Sequence, residues 1–308
     1  MNNLQVSIII VNYNTKELLK NCLKSIYEQT LNLSFEIIVS DNGSTDGSIE
    51  MIETDFPSVI ILKNGENLGF GAANNRALNI SKGKYIFYLN SDTILLHNAT
   101  KIFYDYFEKN DDGKLGAIGS LLLDSNKNFI HSGGTFPSVK STIKDCIKLN
   151  IGNIILTIGT IFHIKNMHKN HFAKGIYGDI DCIYGADLFL KNNNFARYDE
   201  DFFLYSEEVY LQYLMKEAGL ERKIIPGPQI IHLCGGSIEE GITIYRKASF
   251  SRINYEFSRI IYLRKIIKKP TIITNFAVSF CKFLIILSWC NPFINRKTHK
   301  YFKKLISL

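Results

Sequence analysis

The chain has 308 residues, 46% hydrophobic and 21% charged, enough to bury the core of one large or two modest domains, which excludes a disordered or fibrous protein. Its six cysteines (Cys22, Cys146, Cys182, Cys234, Cys281 and Cys290) form no C-x-x-C pair, which argues against a zinc site or a disulfide framework and for a reducing cytoplasm. The net charge of +7 is split: residues 241–308 carry 14 Lys/Arg against the single acid Glu256, a local +13, while residues 1–240 sum to −6.

In chain order, MNNLQVSIII lacks a basic n-region and its apolar run is shorter than a signal-peptide core, so no secretion signal is expected. QVSIIIV (5–11) reads as a strand, and Leu19, Cys22, Leu23 and Ile26 then fall on one helix face behind the N-cap candidates Asn14 and Thr15. FEIIVS (35–40), SVIILK (58–63) and YIFYLN (85–90) repeat the strand signal with helical spacing between them. Strands that are apolar throughout and alternate with helices predict a parallel sheet covered on both faces. Ligands of such sheets bind outside the carboxyl ends of the strands.

Polar residues gather at those ends. Val11, Asn12, Tyr13 and Asn14 follow the first strand and DNGSTDG (41–47) the second; ENLGFGAANN (66–75), containing Asn67, Gly69, Gly71 and Asn74, follows the third, and Asn90, Ser91 and Asp92 the fourth. Any one of these loops is ordinary turn and cap chemistry. Together they suggest a nucleotide site, with Tyr13 to stack on a base, Asp41 to accept from a base N–H or ribose hydroxyl, and Gly69 and Gly71 to allow close approach. There is no G-x-x-x-x-G-K-[ST] loop and no G-x-G-x-x-G, which disfavours ordinary NTPase and dinucleotide sites. Asp92, with Asn90 two residues earlier on the same side of the chain, can hold Mg²⁺ or Mn²⁺ against a diphosphate. The plainer role for Asp92 is to cap the helix that follows.

Residues 138–178 carry no recognised motif and predict one or two helices of their own. His163, His168 and His171 lie there at spacings without acidic partners and read as basic surface. EEVYLQYLMKEAG predicts an amphipathic helix opened by Glu207 and Glu208, which favour a helix N-terminus, and closed by Gly219. PQIIHL (228–233) is strand-like and carries His232, a competent metal ligand, just before a glycine pair. In the tail, ITNFAVSFCKFLIILSWC (273–290) is apolar but holds Asn275 and Lys282 between basic clusters. That suits a helix lying in the interface of an anionic leaflet better than one crossing it. A core helix with a solvated basic face is the alternative, and nucleic acid lacks a reader motif.

VSIIIVNYNTKELLKNCLKSI, EIIVSDNGSTDGS, NLGFGAANN, YIFYLNSDTILL, YGADLFLKNNNFARYDEDFFLYSEEVYLQYLMKEAG and IIHLCGGS, in that order over roughly residues 5–237, resemble the family 2 inverting glycosyltransferases, most of all the rhamnosyltransferase-like branch that builds bacterial surface polysaccharides. The resemblance implies an α/β GT-A fold: a Rossmann-like, mostly parallel sheet with helices on both faces, here followed by a helical basic tail. It implies a catalytic domain over 1–240, with a nucleotide half (1–110) and an acceptor half (111–240) containing the insert of about 138–178; the composition of the tail adds a membrane-associating region over 241–308. By resemblance, Asn90 and Asp92 face the metal and diphosphate, His232 completes the metal site, and Val11, Tyr13, Asp41, Asn67, Gly69, Asn74 and Ser91 surround the nucleotide. Glu208 is the expected base, supported by Glu207, although the family usually has Glu-Asp where this chain has Glu207-Glu208. The expected reaction moves a sugar from a UDP- or dTDP-sugar, with Mg²⁺ or Mn²⁺, to a glycan or lipid-linked glycan, at the inner face of the cytoplasmic membrane; an oligomer is compatible with this. A silent GT-A scaffold that binds nucleotide or membrane is the alternative. The sole tryptophan, Trp289, is not set in the Q-x-x-R-W element of processive synthases.

Overall fold

A computed structural model describes residues 4–161, 177–233, 250–289 and 299–308. The chain runs β1 (Val6–Asn12), α1 (Lys16–Gln29), β2 (Phe35–Asp41), α2 (Ser48–Asp55), β3 (Ile60–Lys63), α3 (Phe70–Leu78), β4 (Tyr85–Leu89), β5 (Thr93–Leu95), α4 (Ala99–Asn110), β6 (Leu115–Gly119), β7 (Leu122–Leu123) and β8 (Gly133–Gly134). It continues through α5 (Val139–Ile161), β9 (Gly178–Asp179), β10 (Cys182–Ile183), β11 (Asp187–Lys191), α6 (Glu207–Glu217), β12 (Glu221–Ile224), β13 (Ile230–His232), α7 (Phe250–Ile266), α8 (Ile272–Trp289) and α9 (His299–Ser307). His163, His168, His171, Cys234 and Cys290 lie outside the described residues.

The described residues fall into two compact units, the first made of residues up to 136 with 177–203 and 207–233. Its main sheet has the order β3-β2-β1-β4-β11-β6-β12-β9. The first four strands are mutually parallel, and β11 runs antiparallel between β4 and β6. The apolar run of β1 is explained by burial on both faces: Val6, Ile8 and Ile10 pack with Leu19 and Leu23 of α1, Ile52 of α2 and Phe103 of α4. Ile9 packs on the other side with Ala77 of α3 and Met215 of α6. Covering both faces removes the strand backbone from water and leaves only its ends open to a ligand.

The second unit holds residues 137–161, 204–206, 250–289 and 299–308. Helix α5 of the insert, expected inside the acceptor half, therefore groups with the tail. The physical reason is the side-chain pattern along α5: Cys146 is buried, while Asn150 and Asn153 donate to the carbonyls of Leu284 (2.9 Å) and Ser288 (3.5 Å) on α8. The tail is itself a packed bundle. Its one acid, Glu256, accepts from Arg252 Nε at 3.1 Å and from the Trp289 indole, and Arg252 also donates to Ser288 Oγ at 2.7 Å. Burial raises the Glu256 carboxyl while the Arg252 charge lowers it, and buried charge is tolerated only when bonded in this way. Lys282, whose charge argues against this segment crossing a bilayer, is buried too and donates to the Ile306 carbonyl at 3.1 Å.

Candidate active site

The site is built at the carboxyl ends of the parallel strands. Asn12 and Asp41 are register partners at the ends of β1 and β2, and Asp41 is fully buried. Its Oδ1 accepts from Asn12 Nδ2 at 2.8 Å and its Oδ2 from the backbone N–H groups of Gly43 (3.1 Å) and Ser44 (2.9 Å). Asp41 thus shapes the loop it was expected to present to a nucleoside, with three acceptor positions of a carboxylate's roughly four already used. Tyr13 stands 49% exposed on the neighbouring loop, open to stack on a ring; Val11 is half-buried below it. The Thr15 side chain makes no cap bond to α1. It donates to Asn12 Oδ1 and meets Ser91 Oγ at 3.0 Å, tying the β1 loop to the β4 loop. The first amide of α1, at Lys16, is capped instead by Asp46 of the second loop at 2.8 Å. A carboxylate brought by tertiary structure replaces the local cap.

Asn67, Gly69 and Asn74 also serve the scaffold. Asn67 Oδ1 accepts from the Gly69 N–H at 3.0 Å, and the buried Asn74 donates to the Phe70 carbonyl. The close approach that Gly69 permits is to protein: at φ +88° a Cβ there would lie 2.3 Å from the Phe203 carbonyl oxygen, and the Phe70 N–H donates to that oxygen at 2.8 Å. Gly71 likewise faces Tyr198 and Glu207. These glycines seat the segment that leads into α6 and so position its acidic pair.

Asn90, Asp92 and His232 converge. The antiparallel pairing of β13 with β5 sets His232 opposite Thr93, and the Leu233 N–H donates to the Asp92 carbonyl at 2.9 Å. His232 Nε2 consequently lies 3.2 Å from Asp92 Oδ1 and 3.4 Å from Asn90 Nδ2. Both Asp92 and His232 keep about a fifth of their side chains exposed (18% each). Asn90 Oδ1 is buried without a hydrogen-bond partner. A carboxylate oxygen, an imidazole nitrogen and an orphaned amide oxygen form a donor set that fits Mg²⁺ or Mn²⁺. No group of three His, Cys, Asp or Glu is gathered among the described residues.

Glu208 reaches the same region. The Asn90 N–H donates to the Ala186 carbonyl at 3.0 Å, and the Glu208 stem passes 3.5 Å from where a Cβ on the adjacent Gly185 would sit. Glu207 is only 3% exposed; its burial, with the neighbouring Glu208 charge, drives its carboxyl well above the usual range, and its Oε2 has no hydrogen-bond partner. The two acids are thereby divided, Glu207 toward the neutral form in the core and Glu208 half-buried and reachable. Tyr205 and Ser206 hold φ of +69° and +65° just before α6, a costly backbone of the kind that functional sites retain. The helix ends at Gly219 (φ +76°), with the Leu220 N–H returning to the Met215 carbonyl at 2.9 Å, the expected glycine cap.

One buried acid escaped the sequence analysis. Asp187 opens β11 opposite Leu89, is fully buried, and accepts from Ser120 N–H (2.7 Å) and Oγ (2.6 Å). Burial pushes its carboxyl up to about 7, only partly offset by Ser120 and by His232. Its place in the strand-like run GADLFLK carried no signal, because only the antiparallel insertion of β11 beside β4 sets it next to the site. Because its folded-state pKa lies above its unfolded value, its stabilising contribution is full below about pH 4 and is lost as pH rises through 7. In the metal-free protein, Asp187→Asn is expected to melt roughly 5 °C or more above wild type at pH 8, with the gap closing by pH 5. Parallel melting curves at all pH values would exclude an ionising Asp187.

Comparison with known proteins places these features in a family. The model described as "Glycosyl transferase family 2" matches residues 7–163. An uncharacterized glycosyltransferase of Methanocaldococcus jannaschii is 36% identical over 129 residues, 41% of this chain and 44% of the relative. The poly(ribitol-phosphate) beta-glucosyltransferase of Bacillus spizizenii is 25% identical over 276 residues, 83% of this chain and 41% of the relative. The matched region thus spans less than half the length of these curated relatives. Among solved structures, the mannosyltransferase of Pyrobaculum calidifontis in complex with GDP-Man and Mn²⁺ superposes with a TM-score of 0.55 at 13% identity, covering 92% of this chain and 74% of that one. That likeness establishes a shared fold.

Proposed function

Because the chain belongs to glycosyl transferase family 2, we propose that it is a non-processive inverting glycosyltransferase that moves a sugar from a nucleoside-diphosphate donor to a hydroxyl of a lipid-linked or growing cell-surface glycan. The observation that carries this reading is the convergence of Asn90, Asp92 and His232 at the mouth of β4, joined through Ala186 and Gly185 to Glu208. Tyr13 stacks on the base, and the loop organised by Asp41 borders the nucleoside. Asp92 and His232, with Asn90, hold Mg²⁺ or Mn²⁺, which when bound offers Lewis-acid stabilisation of the departing diphosphate. Glu208 takes the proton from the acceptor hydroxyl as that oxygen attacks the anomeric carbon from the face opposite the leaving group. One displacement inverts the configuration. Glu207, held toward its neutral form, lets Glu208 carry the local negative charge alone.

The donor we favour is dTDP-rhamnose or a UDP-hexose, on the motif resemblance. The protein works at the inner face of the cytoplasmic membrane, touching it peripherally through the basic C-terminal region. The deciding experiment offers UDP-, dTDP- and GDP-sugars with Mn²⁺ and follows release of the nucleoside diphosphate. Slow hydrolysis of one donor class, abolished by chelator and restored by Mn²⁺ or Mg²⁺, is expected. Saturable nucleotide binding with no turnover of any donor, with or without acceptor glycans, would instead identify a silent scaffold.

A further inference from the structure

Within the second unit, two helices far apart in sequence share a face. Asn150 of α5 bonds to Leu284 of α8, and Asn153 to Ser288, so both helices advance in the same direction along their contact line. At about 100° per residue, Ile147 and Ile154 lie about a quarter turn from the contact line of α5, with Ile151 and Ile155 farther round in the same rotational sense. Phe276, Phe280, Phe283 and Leu287 lie about a quarter turn from that of α8 in the opposite sense. For parallel neighbours, opposite rotations put both stripes on the same side of the pair. All eight side chains are exposed, from 37% at Phe280 to 71% at Phe276, an apolar area of the kind soluble monomers seldom leave to water.

The charges on this face have one sign. Lys140, Lys144 and Lys148 are exposed and follow one another at the four-residue spacing beside the isoleucines, and Lys269 is exposed just ahead of α8. The one acid in α5, Asp145, is ion-paired with Arg259, and α8 contains no acid. α8 is apolar enough to cross a bilayer by length and composition (mean hydropathy 1.8). Its other side, however, is engaged with Asn150, the Arg252–Glu256 pair and Ile306, and leaving those groups in lipid would strand polar bonds.

We propose that α5 and α8 together form one docking face for an anionic phospholipid leaflet, seating their isoleucines and phenylalanines at the acyl boundary while the lysines meet the head groups. This rests on the peripheral membrane contact given under the proposed function, and it assigns half of that contact to the insert helix instead of the tail alone.

The test is co-sedimentation of the full chain with vesicles of phosphatidylglycerol and phosphatidylcholine, against phosphatidylcholine alone. Wild type is expected to bind the anionic vesicles at least about tenfold more tightly. Ile147→Glu/Ile154→Glu in α5 is expected to weaken binding as much as Phe276→Glu/Phe283→Glu in α8, each by about tenfold or more. The milder Ile147→Ser/Ile154→Ser should move the same way, and melting curves and donor hydrolysis should stay at wild-type values. Full retention of vesicle binding by the α5 variants alongside its loss in the α8 variant would overturn the shared face while leaving a tail-only membrane contact intact. Failure of wild type to bind either vesicle would overturn both. A solution dimer that dissociates in the α5 variants without any vesicle binding would assign the face to a second copy and overturn the lipid proposal.

Discussion

Asp92→Ala is expected to lower donor turnover by about a thousandfold or more and to remove saturable Mn²⁺ binding. Asp92 is the one carboxylate in the donor set at the mouth of β4; its partners there, the His232 imidazole and the Asn90 amide, are neutral ligands that cannot by themselves neutralise a divalent cation beside a diphosphate. Asp92→Asn sharpens the test, because it keeps an oxygen within reach of His232 Nε2 and removes only the charge. If the charge is what matters, Asn fails nearly as completely as Ala, and raising Mn²⁺ to millimolar concentrations recovers little. Titration calorimetry with Mn²⁺, in the presence and absence of nucleotide, separates lost cation binding from lost chemistry. Wild-type turnover and Mn²⁺ affinity in Asp92→Ala would end the assignment of this residue as the cation's ligand. The fold should survive, since Asp92 stands partly exposed in a short loop and its backbone carbonyl, which the Leu233 N–H uses, is unchanged.

The second large effect is expected at Glu208. Glu208→Gln preserves shape and removes the base, so transfer to the acceptor should fall by about 10²- to 10⁴-fold, the usual contribution of a positioned general base. Donor affinity should stay within about threefold of wild type, because the change lies on the acceptor side of the sugar. Glu207→Gln is expected to be far milder, under about tenfold, since burial and the Glu208 charge already bias Glu207 toward its neutral form. The pair gives a clean contrast: an acid-side limb in the pH profile of transfer should vanish in Glu208→Gln and persist in Glu207→Gln. The reverse pattern would make the buried acid the base and Glu208 its support.

The separation of roles between the two acids was not legible in EEVYLQYL, where both are simply acidic residues at a helix start. It depends on Gly71 closing over Glu207 and on Gly185 leaving a lane for Glu208. The glycines show the same limit from the other side. In NLGFGAANN they suggested room for a ligand, and the structure fills that room with the Phe203 carbonyl and Tyr198. Asp41 reads as a ligand-facing acid, and in the structure it is bonded to Asn12 of β1 and to the amides of its own loop. Asn14 and Thr15 suit a local cap by sequence, and Asp46 from the next loop takes that place. In each case a polar side chain had several partners available, and proximity in three dimensions chose among them.

Local pattern alone determined the β-α-β-α core, the parallel pairing of the first four strands, the α6 helix with its Gly219 cap and the polar edge where a ligand belongs, because burial on both faces writes itself into every residue of a strand and 3.6-residue spacing into every helix. The convergence of His232 on Asp92, the lodging of Asp187 beside them and the union of α5 with α8 were decided only by the tertiary structure. Each joins segments many tens of residues apart, and no period along the chain records which distant surface a buried acid, an imidazole or an apolar helix will meet.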